Sequence, residues 1–306
     1  MKSEVRNRVV PAREARAETH YSMDIVAHIE NTYKEKFGVP RQSGLVDEVI
    51  SRIVFEEKYR NPDAVRGLHQ FSHLWLIWIF SEKFAAGTHV DPLQGDDAVA
   101  GTHVDPLQGD DAAAGTHADP LQGNDASGMH ANLSQDTVVA ATAATDDRSW
   151  SPTVRPPRLG GNERIGVWAS RSPNRPNPIG LSCVEIVSVE PDTPDGPVIT
   201  VRGADLMDRT PIIDIKPYIV YADSRPDAVS GYASEAPEPV LTVTGLDKLP
   251  SDIDASAVEA ILSLDPRPAY RQGKADEHVY HVRYGNHDIC FTIVDKEIRI
   301  MKTDSC

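Results

Sequence analysis

Phe71-Ser-His-Leu-Trp-Leu-Ile-Trp-Ile-Phe80 carries seven consecutive apolar residues from Leu74 onward. Seven is far below the roughly 18 to 20 that a membrane span requires, so by itself the run is a buried strand or helix segment. Its neighbours decide between the two. Ile25-Val-Ala-His-Ile29 precedes it, and Leu181 to Val189 and Val198 to Val201 follow with β-branched enrichment at strand length. Proline and glycine punctuate the intervals and no long helical period occurs, which predicts a small, mostly antiparallel sheet or barrel rather than a doubly wound parallel sheet. No Gly-x-Gly-x-x-Gly follows a strand, so the usual dinucleotide-binding fold has no support.

Beyond Arg225 a Pro-, Ser- and Ala-rich passage runs to Pro239 and introduces a second block. It offers a strand (Val240 to Thr244), a helix, and two or three further strands (Val279 to Tyr284, Ile289 to Val294, Glu297 to Met301). The helix has one apolar face (Ile253, Ala257, Val258, Ile261, Leu262), Ser251 and Asp254 at capping-box spacing, and Pro266 to stop it. The expected organisation is a flexible terminus (1–20), a mainly β domain (21–224) with an insertion at 85–148, and a small α/β C-terminal domain (225–306).

The insertion is a fourteen-residue repeat: Ala86-Gly-Thr-His-Val-Asp-Pro-Leu-Gln-Gly-Asp-Asp-Ala-Val99 recurs from Ala100 and, altered, from Ala114. Each unit has too little apolar surface to offset the roughly 1–2 kcal/mol per residue of backbone ordering, so disorder is expected. His89, His103 and His117 each precede an Asp by two residues, but isolated units on a flexible chain would bind metal weakly. The segment 85–148 holds eleven Asp and one Arg, a net −10, out of −15 for all 306 residues. The remaining body is near −5, and its acidity does not exclude an RNA partner. Cys183, Cys290 and Cys306 are too scattered for a disulfide framework or a Cys-x-x-Cys zinc site, which fits a reducing cytoplasm. The N-terminus lacks the apolar core of a signal peptide.

Chemistry concentrates in residues 149–182, where Arg155, Arg158, Arg164, Arg171 and Arg175 meet one acidic residue, Glu163. Three of these arginines adjoin a proline, which stiffens the backbone and lowers the entropy lost when a guanidinium binds carboxylate or phosphate. Trp150 and Trp168 lie among them, as a surface that stacks bases would have. Any one Arg-Pro pair also fits an ordinary solvated loop.

Arg171-Ser-Pro-Asn-Arg-Pro-Asn-Pro-Ile-Gly-Leu-Ser182 resembles the signature of the TsaA-like family, the TrmO-type tRNA methyltransferases. The resemblance extends to Tyr33–Gln42, Asp63–Leu68, Phe71–Trp75, Thr153–Gly161, Asp214–Tyr218 with Tyr221–Ser224, and Asp265-Pro-Arg-Pro-Ala-Tyr270. It implies an S-adenosylmethionine-dependent β-barrel enzyme, commonly homodimeric, acting at N6 of threonylcarbamoyladenosine 37 in the anticodon loop of threonine tRNA. Neither DNA, membrane nor a catalytic metal is expected. Carried over by motif, the cofactor residues are Pro40, Arg41, Gln42, His73, Leu74, Arg171, Leu181, Asp205 and Leu206. Substrate residues are Arg155, Arg158, Arg175, Asn177, Lys216, Tyr218 and Arg267, and the candidate catalytic groups are Asp208, Asp265 and Tyr270. The residues alone leave blander readings open: His73 as a hydrogen-bonded histidine at a strand mouth, Asp205, Asp208 and Asp214 as turn formers, and Asp265–Tyr270 as a helix stop. Two rival functions stand beside the main one, namely methyl transfer to another RNA or small molecule, and a cofactor- or RNA-binding module without turnover.

Overall fold

A computed structural model describes residues 22–80, 150–159, 163–268, 271–272 and 276–306. The N-terminal 1–20, the repeat segment 85–148 with its His-x-Asp units, and Tyr270 lie outside the described residues.

Six antiparallel strands close into a barrel: β1 (Ala27–Glu30), β2 (Ile50–Phe55), β3 (His73–Ile79), β6 (Ile179–Glu190), β7 (Val198–Arg202) and β8 (Pro211–Pro217), in the order β1-β2-β7-β6-β3-β8 with β8 returning to β1. A short pair, β4 (Thr153–Val154) and β5 (Ile165–Gly166), stands apart. Alternation sets the two barrel faces. On β3, Leu74, Leu76 and Trp78 turn inward to a core with Ile29, Ile53, Val184, Ile199, Val201, Leu206 and Ile212, while His73, Trp75, Ile77 and Ile79 turn outward. The sequence pattern predicts neither β2 nor β8, nor the short β4–β5 pair. The inward residues of β2 are Ser51 and Ile53, so one of its two core positions is polar and the hydrophobic period is lost.

Across the β3–β6 pair, Gly180 lies opposite Trp78. A Cβ at Gly180 would stand 2.2–2.6 Å from atoms of the Trp78 ring, so only glycine lets the indole lie there. The indole N–H donates to Ser182 Oγ at 3.0 Å in the interior.

The C-terminal block forms a four-stranded sheet in the order β10 (Asp276–Tyr284), β11 (His287–Val294), β12 (Glu297–Ser305), β9 (Thr242–Thr244), with β9 parallel to β12. The helix Ala255–Ser263 covers one face. Its N-cap is Asp254, which accepts from Ser256 N and Ala257 N; Ser251 does not cap, a correction to the capping-box expectation. Asp alone satisfies two of the exposed amides of the first turn.

Residues between β1 and β2 join this second core rather than the barrel's. Tyr33, Val46 and Val49 are buried with Val258, Ile261, Leu262, Ile289 and Phe291. Tyr33 bridges Tyr284, and Gly285 N donates to Thr32 O at 2.8 Å. The segment that bears Pro40, Arg41 and Gln42 is therefore held between the two units.

Gly180→Ala is expected to destabilise the protein by about 1–3 kcal/mol through overpacking against Trp78, measured by denaturant unfolding with unchanged far-ultraviolet circular dichroism.

Candidate functional site

Arg171 and Gln42 are 129 residues apart, yet Arg171 Nη1 donates to Gln42 Oε1 at 2.6 Å. The loop that presents Arg171 is built by local hydrogen bonds. Ser170 Oγ accepts from Ser172 N, Ser172 Oγ accepts from Asn174 N, and Arg175 Nη2 donates to the Val167 and Ser170 carbonyls at 2.9 and 2.7 Å. Arg175 also lies over the Trp168 ring at 5.6 Å. A guanidinium spent on the loop's own carbonyls shapes the surface that neighbouring residues present.

Gln42 Nε2 turns back to the Arg41 carbonyl at 2.6 Å, and Arg41 Nη2 reaches the Arg267 carbonyl at 3.4 Å. Arg267 itself is 1% exposed. Its Nε and Nη2 make a bidentate pair with Asp265 Oδ1 and Oδ2, both at 2.8 Å, and Gln272 Nε2 donates to the carbonyls of both residues. Asp265 adopts a left-handed backbone (φ 55°) directly after the helix, which turns the chain so that the pair closes inward.

On the barrel side, Ser182 Oγ donates to Asp205 Oδ1 while receiving the Trp78 indole. Burial pushes the Asp205 carboxyl above the ordinary range; bonds from Ser182 and from backbone amides at Asp205 and Ser43, and the nearby Arg171 charge, oppose that rise. Arg171 thus lies near enough to Asp205 for its charge to act on the carboxyl. Ser182 belongs to the quoted signature but was not foreseen as a site residue. The only sequence signal is a hydroxyl at an inward position of β6, which must find a partner once buried.

The remaining expected residues fall elsewhere. Pro40 is buried, and Leu74 and Leu206 are barrel core. Asp208 accepts from Asn31 N at 3.0 Å and from Lys34 Nζ at 2.7 Å, anchoring the chain just after β1. Asn177 is exposed, and its carbonyl receives Ile179 N. Arg158 is exposed and Arg155 half-buried. Lys216 pairs with Asp214 at 2.7 Å. His73, hydrogen-bonded to Ser72, has its ring 6.2 Å from that of Tyr218, which also meets Trp75 at 5.8 Å. Leu181, half exposed, lies opposite Ile77 on the same outer face. His73 sits three residues along β3 from Leu76, the partner of Ser182, or about 10 Å at strand rise and on the opposite face. The chain therefore gathers Arg41, Gln42, Arg171, Asp205, Asp265 and Arg267, and leaves His73, Leu181, Lys216 and Tyr218 on the barrel's outside. Trp150 and the largely exposed Trp168 pair at 5.9 Å between centroids beside the arginines.

The profile of the tRNA-methyltransferase O N-terminal domain matches residues 28–104 and 122–224, and that of the TrmO C-terminal domain matches 245–305. The chain belongs to the tRNA-methyltransferase O family. It is 31% identical over 284 residues to the tRNA (adenine(37)-N6)-methyltransferase of Escherichia coli (strain K12), covering 90% of this chain and 94% of that one. The Eikenella corrodens protein of the same name is 40% identical over 148 residues, 47% of this chain and 81% of the relative. A TrmO crystal structure from P. aeruginosa superposes with a TM-score of 0.57 at 22% identity, covering 96% of this chain and all of that one, and so shares the fold. As a TrmO-family member the protein is a methyltransferase, and its antiparallel barrel is the fold expected above. Among the described residues no helix is long and apolar enough to cross a membrane.

The raised Asp205 carboxyl means that the native protein holds this proton more tightly than the unfolded chain. Stability therefore falls as pH climbs from the ordinary carboxylate range toward the raised value. Asp205→Asn is expected to flatten that fall in unfolding midpoints measured between about pH 4 and 7. Arg267→Ala strands a buried Asp265 and is expected to cost about 3–5 kcal/mol in chemical denaturation.

Proposed function

We propose that this chain methylates N6 of threonylcarbamoyladenosine 37 in threonine tRNA, with S-adenosylmethionine as methyl donor. The observation that carries the reading is that Arg171, held by Gln42, lies near enough to Asp205, backed by Ser182, for its charge to act on that carboxyl where barrel and C-terminal unit adjoin. The E. coli relative is named a tRNA (adenine(37)-N6)-methyltransferase, and its length is matched almost throughout.

The residues suit the cofactor. An exposed guanidinium and a largely enclosed carboxylate are the partners wanted by its carboxylate and by its ammonium or ribose hydroxyls. Arg41 and Gln42 complete the rim. When bound, the group supplies a methyl made electrophilic by the sulfonium that carries it. The protein's share is alignment: N6 must approach in line with the departing sulfur, and holding both reactants replaces a bimolecular encounter. In the threonylcarbamoyl adduct N6 stands between purine and carbonyl, so its proton leaves more readily than that of an ordinary exocyclic amine.

Asp265 and Arg267 act as positioning residues, since their buried pair fixes the carbonyl that Arg41 contacts. Asp208 likewise acts through Asn31 and Lys34. Tyr270, four residues beyond Pro266, addresses the substrate. Arg155, Arg158 and the Trp150–Trp168 pair serve the anticodon loop, Arg175 shapes that surface, and Asn177 borders it. Two subunits acting together in the cytoplasm would bring the outer-face residues His73, Leu181, Lys216 and Tyr218 to the partner's cleft, a homodimer that reconciles their distance from Asp205 within one chain.

Labelled cofactor with total RNA from cells able or unable to make the threonylcarbamoyl adduct should put label only into adduct-bearing threonine tRNA. Label in other RNA or in small molecules would shift the acceptor, and binding without label would make the chain a module. Arg171→Ala should lower transfer at least about 100-fold, and tRNA binding should weaken steeply with added salt.

A further inference from the structure

The face of the C-terminal sheet turned away from its core carries a mixed set of donors that the methyl-transfer reading does not use, from exposed His281 to Cys290, which its neighbours leave 1% exposed. His281 on β10 is registered directly against Cys290 on β11, and Asp288 lies two residues before Cys290 on the same face. The opposite face, through Ile289, Phe291 and Ile293, fills the core. His281 Nδ1 stands 2.9 Å from Asp288 Oδ2 and 3.2 Å from Cys290 Sγ, and one donor atom from each of the three residues lies within 4.8 Å of the others.

The geometry is wrong for a nucleophilic triad. There the acid and the thiol would sit on opposite nitrogens of the imidazole, whereas here both face the same Nδ1. One nitrogen has one proton or one lone pair, so it cannot serve both neighbours as a hydrogen-bond partner of full strength. Asp288 adds a second mismatch: its Oδ1 is buried without a hydrogen-bond partner. Three donors converging on one point, with a buried oxygen left over, ask for a cation.

We propose that His281, Asp288 and Cys290 form a binding site for a single zinc-like divalent metal, with water in the fourth position. A tetrahedral zinc centre with ordinary bond lengths separates its nitrogen ligand from an oxygen ligand by about 3.4 Å and from a sulfur ligand by about 3.6 Å. The set must therefore open by roughly half an ångström, within reach of His281, whose side chain is 56% exposed. The mixture of thiolate, imidazole and carboxylate suits zinc and cobalt over magnesium or calcium. The paired strands β10 and β11 carry all three ligands and fix their backbones in advance. On binding, the Cys290 thiol gives its proton to solvent as the sulfur–metal bond forms, and Nδ1 is freed by moving the imidazole proton to Nε2. Lys302 and Asp304, paired on β12 beside Cys290 and Asp288, border the site.

The test is titration of the full chain, freed of metal by chelator, with Co2+ alone and then with Zn2+ alone. One equivalent of Co2+ should give a thiolate-to-cobalt charge-transfer band that Zn2+ displaces. The repeat segment contains histidine and aspartate but no cysteine, so metal bound there cannot produce it. Cys290→Ser should abolish the band, with folding checked by circular dichroism, and His281→Ala, at an exposed position, should weaken Co2+ affinity at least tenfold. Cys183→Ser and Cys306→Ser should retain the band. Absence of the band in the unaltered protein, its survival in Cys290→Ser, or unchanged affinity in His281→Ala would overturn the proposal.

Discussion

The seating of the Trp78 indole over Gly180 is the contact on which the barrel's half of the site depends. It fills the barrel where β3 and β6 cross-pair, and it aims the indole N–H at Ser182. Ser182, fixed from one side by that donor, can give its own proton only toward Asp205. A hydrophobic packing decision is thereby converted into the orientation of a carboxylate at the site. The conversion is economical because a buried hydroxyl and a buried indole N–H each need a partner, and a single hydrogen-bond relay satisfies both.

The second unit supplies the other half of the site by a different device. The chain between β1 and β2 leaves the barrel, places Tyr33, Val46 and Val49 in the C-terminal core, and returns. Arg41 and Gln42 ride on that excursion, so they sit where the two cores adjoin. Below them the Arg267–Asp265 pair is nearly sealed from solvent. Such a pair is weak as a source of stability but demanding of geometry, since either partner alone would be an uncompensated buried charge. A candidate binding edge at a seam between two packed cores takes its geometry from both.

Legibility from the chain was uneven, for definite reasons. Strands β3, β6 and β7 are rich enough in apolar and β-branched residues to be read by length, and the helix at 255–263 by its single apolar face. Strand β2 was hidden because Ser51 occupies a core position, and β8 because Asp214 and Lys216 interrupt it. The helix cap was misplaced by one turn because Ser251 and Asp254 are both good caps and only the backbone path selects between them. Among the site residues, the arginine-rich segment stood out by composition, but its members separate in space: Arg171 faces the site, Arg175 is turned onto its own loop, and Arg158 is exposed. Side-chain type shows what a residue is able to bind and is silent on whether its groups are already engaged.

The sequence by itself determined the class of fold, the small second unit, the family, and the displacement of two-thirds of the net negative charge into the repeat segment. These are properties of pattern and composition, which are read along the chain. Tertiary structure alone decided that residues 42 and 171 touch, that Ser182 carries Asp205, that Asp208 is tied to Asn31 and Lys34, and that His281, Asp288 and Cys290 converge. Ser182 and the His281, Asp288 and Cys290 cluster depend on strand register, where a slip of one residue would send those side chains to the opposite face; the other contacts join loops far apart in the chain, so no local reading of the chain contains them.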